Sequence, residues 1–263
     1  MKCEVVTTRD GARAVLDHET GEVMHPVVGP LVEAERLYVQ PSRLVERLAE
    51  VGQPLRLLDV GLGAGSNAIA AWKLAEHASR RLDIVSLDRS RDALALALEH
   101  ADDFGLTGPA GDAARNLLRA GTHEDAHCTW RFIEGELPDT LRAVDDHASD
   151  IVFWDPFSPR ANPSLWTLAA FSALRRTCAD GCTVHTYSSA TPVRSALLLA
   201  GFSVGLGPAI DANKFATTAA VGASLLHPLD TRFLERLRRS TSPFPTDAPA
   251  DALEQISLAP QFS

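Results

Sequence analysis

Leu57-Leu58-Asp59-Val60-Gly61-Leu62-Gly63-Ala64-Gly65-Ser66-Asn67 is the stretch from which the fold is read. Residues 55–60 form a short apolar run ending in an acid and a glycine loop, the pattern of a buried parallel strand. Residues 66–78 then read as a helix. Outward from this unit the alternation repeats. A second strand at 82–87 ends at Asp88, and an Ala/Leu-rich helix follows at 91–103. Residues 105–128 are glycine-rich, with a short helix at 113–119. Further strands are predicted at 129–133, 151–154 and 183–187, with helices at 139–144, 164–177 and 191–200. Residues 202–206 and 215–221 are expected to close the sheet as an antiparallel pair. Repeated strand–helix units of this kind imply an open, mostly parallel sheet with helices on both faces. Ligands of such sheets sit beyond the carboxyl ends of the strands, where strand order reverses.

Glycines let a backbone approach a ligand and adopt conformations closed to other residues. A glycine loop between a strand and a helix serves dinucleotides as well as other adenosyl cofactors. The dinucleotide form wants its third glycine three residues after the second, where this chain has Ser66; here the third is Gly65. Asp59, two residues before Gly61, would repel a pyrophosphate but suits the ammonium of a methionine moiety. Asp88 ends the second strand, where a carboxylate can accept from both ribose hydroxyls. Glu136, after Gly135 at the end of the third strand, is expected on the adenine side. These features favour S-adenosyl-L-methionine over NAD, with Asp59, Gly61, Gly63, Gly65, Asn67, Asp88, Glu136 and Asp155 as the binding set. The fold class is α/β, a class I S-adenosylmethionine-dependent methyltransferase: Rossmann-like, with a mostly parallel seven-stranded sheet.

The fourth strand runs into Asp155-Pro156-Phe157, the candidate catalytic residues. Asp155 and the Pro156 carbonyl can accept hydrogen bonds from a neutral amine, whose lone pair then points at the methyl group. Positioning and electrostatics of this kind supply most of what an in-line methyl transfer needs. The bland alternative is a structural aspartate capping the turn before the helix at 164.

With those two segments in place, the chain resembles the methyltransferase domain of the MnmC family. The segment Asp155-Pro156-Phe157-Ser158-Pro159-Arg160-Ala161-Asn162-Pro163-Ser164-Leu165-Trp166-Thr167 is similar to that family's D-x-F-[SA]-P-x-x-N-P-x-[LM]-W-[ST] signature. Val193-Arg194, Gly201-Phe202, and at the N-terminus Thr8-Arg9-Asp10-Gly11, His25, Gly29 and Glu33-Ala34 also match, so the likeness covers roughly residues 7–222. The resemblance implies methylation of the aminomethyl group of a modified wobble uridine in tRNA. Arg160, Arg194 and Lys214, each beside a strand end, are the cations expected to meet tRNA. Two departures stand out. The family's basic G-x-[KR]-[KR] segment is reduced here to Lys214, and the flavin-dependent oxidase domain of fused members is not expected within these 263 residues. A small-molecule or peptide amine is the alternative substrate. A non-catalytic cofactor-binding protein is the alternative of another class, against which the retention of Asp59, Asp88 and Asp155 argues.

Composition bounds the partners. The 263 residues carry a formal charge of −9, so nucleic-acid binding requires basic residues gathered on one face. Arg232, Arg236, Arg238 and Arg239 form one such cluster in sequence, although scattered surface arginines are the ordinary reading. Four cysteines, Cys3, Cys128, Cys178 and Cys182, fit neither a disulfide framework nor a zinc site, and no metal is expected. The weakly polar stretch 195–210 is broken by Gly201, Gly205, Gly207 and Pro208 and cannot supply the roughly 20 apolar residues of a membrane helix. The N-terminus lacks the apolar block of a signal peptide, so the expected location is cytoplasmic. Residues 1–50 read as a lead-in of short strands and an amphipathic helix near 31–48, 51–225 as the methyltransferase domain, and 226–263 as a basic helix with a Pro/Ser-rich tail contributing little to the core.

Overall fold

The computed structural model describes residues 2–25 and 29–262. Three short strands, β1 (Cys3–Thr7), β2 (Arg13–Asp17) and β3 (Glu22–Val23), form an antiparallel sheet of their own, order β1-β2-β3. The turns between them fall at Asp10-Gly11 and just before Glu22, where glycine–acid pairs predict them. The expected long helix near 31–48 is broken. It comprises α1 (Pro30–Ala34), a π-helical turn over Glu35–Val39, and α2 (Leu44–Ala49), which follows Arg43 in a left-handed conformation.

The main sheet holds β4 (Leu55–Val60), β5 (Leu82–Asp88), β6 (Thr122–Glu124), β7 (Cys128–Glu134), β8 (Ser149–Trp154), β9 (Cys178–Thr186), β10 (Ser203–Asp211) and β11 (Lys214–Ala220). Its order is β10-β11-β9-β8-β4-β5-β7-β6. That is eight strands rather than the expected seven, the addition being β6, a three-residue edge strand antiparallel to β7. The pairs β9-β8, β8-β4, β4-β5 and β5-β7 are parallel, and β10-β11 closes one edge antiparallel, as expected. From β4 the chain steps outward through β5 to β7, then returns to the other side of β4 with β8. Strand order therefore reverses between β4 and β8, which opens a crevice at their carboxyl ends.

Both faces of the sheet are covered, and the two-residue period of the strands divides the core. Leu57, Ile151 and Phe153 join one cluster with α3 (Ser66–Ala75), α4 (Asp92–Glu99) and α5 (Gly108–Ala120). Leu58, Val152 and Trp154 point the other way, into the cluster of α6 (Leu168–Thr177) and α7 (Thr191–Leu199). The basic helix and the residues after it both reach that second core, the latter against expectation. Phe233, Leu234 and Leu237 of α8 (Thr231–Arg239) and Ile256 of α9 (Ala252–Ser257) are buried in it. The carboxylate of Asp247 accepts from the amides of Leu168 and Ala169 (both 2.8 Å), satisfying donors that the first turn of α6 leaves open. Proline and serine mark this tail as loop, but its leucines and phenylalanines recur at helical spacing and find an apolar surface. No helix among the described residues is long and apolar enough to cross a membrane, and none of their His, Cys, Asp and Glu groups gathers as a metal site.

Candidate active site

A cavity of about 500 Å³ opens over the carboxyl ends of β4 and β8, within the size range of cofactor pockets. Its floor is the glycine loop after β4. Gly61, at φ +93°, lies so close to the loop after β8 that a Cβ there would stand 2.6 Å from the Asp155 carbonyl oxygen. Only glycine fits both that conformation and that approach. The Gly63 amide donates to Asp88 Oδ2 (3.0 Å) and the Arg89 amide to Asp88 Oδ1 (2.7 Å), which fixes the carboxylate at the end of β5. Burial nevertheless raises the Asp88 pKa against those amide hydrogen bonds.

Asp155 faces the same cavity from the end of β8 and is gripped from three directions. The Tyr38 hydroxyl donates to its Oδ1 (2.5 Å), and the Asn67 side-chain amide donates to Oδ2 (2.8 Å). His25 Nε2 stands 3.7 Å from Oδ2. Burial pushes the Asp155 carboxyl above its ordinary pKa, while these neighbours pull it back. Around it, the Tyr187 hydroxyl donates to the Pro156 carbonyl (3.0 Å), and the Trp166 indole donates to that of Phe157 (2.9 Å). Ser158 binds Glu22 through both its amide (3.0 Å) and its hydroxyl, so β3 is fastened to the loop after β8.

The structure brings most of the expected residues together. Gly61, Gly63, Asn67, Asp88, Glu136, Asp155, Pro156 and Phe157 all line the cavity. Asp59 does not. It is 1% exposed on the side of β4 that carries Leu57, where Ser86 donates to its Oδ2 (2.7 Å) and itself accepts from the Trp130 indole (2.9 Å). Burial lifts its pKa to about 8, so it is in large part protonated at neutral pH. Asp59 thus stands behind the cavity wall and not on it. Gly65 lies off the cavity wall and makes the left-handed turn (φ +83°) into α3.

The three expected cations also separate. Arg160 is exposed, 3.8 Å from Glu22 at the rim, and Lys214 is exposed at the tip of the β10–β11 hairpin. Arg194 is a correction. It is 3% exposed, with Nε donating to Thr217 Oγ1 (3.0 Å) and Nη2 to the Phe215 carbonyl (2.7 Å), so it cannot reach a phosphate. Its helical position faces the hairpin rather than solvent, and burial lowers its pKa to about 10. Tyr38, Tyr187 and Glu22 also line the cavity and are not legible residue by residue. No local motif surrounds them; only the meeting of three distant elements reveals them.

The cavity suits an adenosyl amino acid cofactor. The buried Ser66 hydroxyl and Asn67 carbonyl oxygen line it at the start of α3 and have no partner among the described residues. Both are open to hydrogen bonding by a polar ligand group.

A family model described as S-adenosyl-L-methionine-dependent methyltransferase matches residues 115–221. Two relatives are named tRNA 5-methylaminomethyl-2-thiouridine biosynthesis bifunctional protein MnmC. The one from Paraburkholderia xenovorans is 30% identical over 195 residues, covering 69% of this chain and 29% of that protein. The one from Methylibium petroleiphilum is 31% identical over 201 residues, covering 71% and 30%. The chain thus spans about 30% of the length of the curated relatives it matches. A crystal structure of MNMC2 from Aquifex aeolicus superposes with a TM-score of 0.78 at 27% identity, covering 97% of this chain and 82% of that one.

Proposed function

We propose that this chain, an S-adenosylmethionine-dependent methyltransferase related to the methyltransferase portion of MnmC, methylates a primary amine: the aminomethyl group of a modified uridine in tRNA. The observation that carries the reading is Asp155, held by Tyr38 and Asn67 at the strand end across from the glycine loop. S-adenosylmethionine, when bound, supplies an electrophilic methyl group on a sulfonium. Asn67, Ser66 and Asp88 are the residues that would hold it, with Glu136 towards the adenine.

Asp155 accepts a hydrogen bond from the amine and so turns the nitrogen lone pair towards the methyl carbon. The bound sulfonium would supply the methyl group and take the C–S electron pair as the leaving group, and Asp155, or water beside it, would be placed to receive the proton that the methylated nitrogen sheds. The pocket's own charge assists. Glu22, Glu33, Asp88, Glu136 and Asp155 line it against Arg89 and His25, which favours entry of a cationic amine that gives one proton to water before its lone pair is free to attack. A tRNA substrate carries with it a cytoplasmic place of action.

Incubation with labelled cofactor tests the reading on two acceptors: tRNA bearing 5-aminomethyl-2-thiouridine and a panel of free amines. Label is expected in the tRNA nucleoside. Asp155→Asn should keep S-adenosylhomocysteine affinity within a few-fold yet lower turnover by roughly 10²-fold. Label confined to free amines, with none entering tRNA, would move the assignment to a small-molecule substrate.

A further inference from the structure

His25 and Glu33 line the same cavity as Asp155, and beyond their share in its overall charge neither has yet been given a part in the chemistry. His25 follows β3 with φ +56°, a left-handed conformation that a non-glycine residue seldom holds without cause. That conformation turns the imidazole into the cavity wall, where its two nitrogens face two different acids. Nδ1 lies 3.0 Å from Glu33 Oε2, and Nε2 lies 3.7 Å from Asp155 Oδ2. All three side chains are largely withdrawn from solvent: 15% exposed for His25, 21% for Glu33 and 12% for Asp155. A neutral imidazole carries one N–H and can serve only one carboxylate; the protonated ring serves both.

We propose that His25, seated by Glu33, is a positioning residue that acts on methyl transfer through Asp155, its imidazolium fixing the charge and orientation of that carboxylate. The inference rests on the reading of Asp155 as the group that meets the amine. Its logic is a balance of neighbours. Asp155 is faced by Asp59 from β4, Asn67 from α3, Tyr38 from the π-helical turn, Tyr187 from the end of β9, Glu33 from α1 and His25 from the end of β3. Of these, only His25 can bring a positive charge. Asp59 and Glu33, when ionised, oppose the Asp155 charge, while Tyr38 and Asn67 supply neutral hydrogen bonds. Burial works against a charged His25, but the Glu33 hydrogen bond and the charges of Asp155 and Glu33 outweigh it, so its pKa stands above the ordinary value. Glu33 thus holds a proton on His25, and His25 holds the charge on Asp155.

The pH profile of kcat/KM on aminomethylated tRNA tests this. An opposite charge within about 4–6 Å lowers a carboxyl pKa by one unit or more, so His25→Gln should move the acidic limb up by roughly one unit. At a pH below both limbs the rate should fall about tenfold, and raising the pH should restore most of it. Glu33→Gln should move the limb the same way by less. S-adenosylhomocysteine calorimetry checks that each variant is folded, with affinity expected within a few-fold of wild type. A merely structural His25 would lower activity at every pH alike. An unmoved limb in a His25→Gln protein that still binds S-adenosylhomocysteine overturns the proposal. Nitrogen NMR of the His25 ring in the free protein provides a readout independent of any acceptor. It should show a doubly protonated imidazole at neutral pH that titrates at lower pH in both Glu33→Gln and Asp155→Asn. That result with no tRNA methylation would count against the tRNA assignment while supporting the His25–Asp155 coupling; a neutral ring in wild type would overturn the coupling itself.

Discussion

A buried carboxyl group with one oxygen bonded and the other bare is a costly item in any core, and Asp59 is one: Ser86 serves Oδ2, and Oδ1 has no partner among the described residues. Its folded pKa of about 8 lies above the value of an unfolded aspartate. The folded state therefore holds a proton that the unfolded state releases, and stability falls as pH rises from about 4 towards 8. Asp59→Asn keeps an acceptor for Ser86 and removes that penalty. Its melting temperature should equal or trail wild type near pH 5 and gain on it towards pH 8; a difference independent of pH would show Asp59 to be ionised in the fold. At the cavity, Asp88→Ala should weaken S-adenosylhomocysteine by about 1–3 kcal/mol, as loss of charge-assisted hydrogen bonds does, measurable by calorimetry. The positions of Asp88 and Asp155 were legible because each ends an apolar run at a strand terminus. The inward turn of Asp59 follows from the same two-residue alternation, but the glycine loop draws the eye to its ligand chemistry first. The partners of Asp155 come from residues 117, 88 and 130 positions away, and no local pattern announces such meetings.

At the scale of elements, α6 shows how a distant segment completes a local structure. Thr167 caps the Ala170 amide (3.1 Å), and Asp247, some 80 residues on, takes the two amides before it. Asp247→Ala should cost about 1–2 kcal/mol in chemical denaturation, the range for a lost N-cap, and Thr167→Ala about the same. Equal stability of the Asp247 variant would mean that the tail docks by its apolar residues alone. The β–α alternation was legible throughout the sheet because parallel strands are short apolar runs set between amphipathic helices. Less legible were β6, only three residues long, and the break at 35–43, where a helical period continues through the π-turn and the left-handed Arg43.

Over the whole molecule, the charge of −9 makes the placement of unpaired cations the test of a tRNA substrate. The chain pairs with β10 through the Leu229 amide and the Val204 carbonyl (2.9 Å), at the amino end of that strand. After α8, the Pro243 carbonyl accepts from Ser195 at the middle of α7 (2.7 Å). Helix α8 therefore runs from the amino end of β10 towards the middle of α7. Its arginines 232, 236, 238 and 239 are exposed, and none pairs with an acid among the described residues. If tRNA is the substrate, affinity should fall steeply with salt, and Arg236→Ala with Arg239→Ala should flatten that slope by about one contact each. Arg194→Ala, by contrast, should leave the slope unchanged and cost stability through the stranded hairpin carbonyls. A slope indifferent to the α8 arginines would place the phosphate contacts elsewhere on the molecule.

The contact between Gly61 and the backbone of Asp155 has a thermodynamic corollary. The two loops are in van der Waals contact through main-chain atoms, with no side chain between them to absorb a displacement. If the first loop meets the cofactor and the second the amine, as proposed, this main-chain contact joins the two sites. Any preference that the first ligand imposes on this shared backbone is inherited by the second, and linkage requires the exchange to be symmetric. The factor by which S-adenosylhomocysteine changes affinity for the acceptor must equal the factor by which the acceptor changes affinity for S-adenosylhomocysteine. Gly61→Ala, which drives the loops apart, should erase that factor along with the separate affinities.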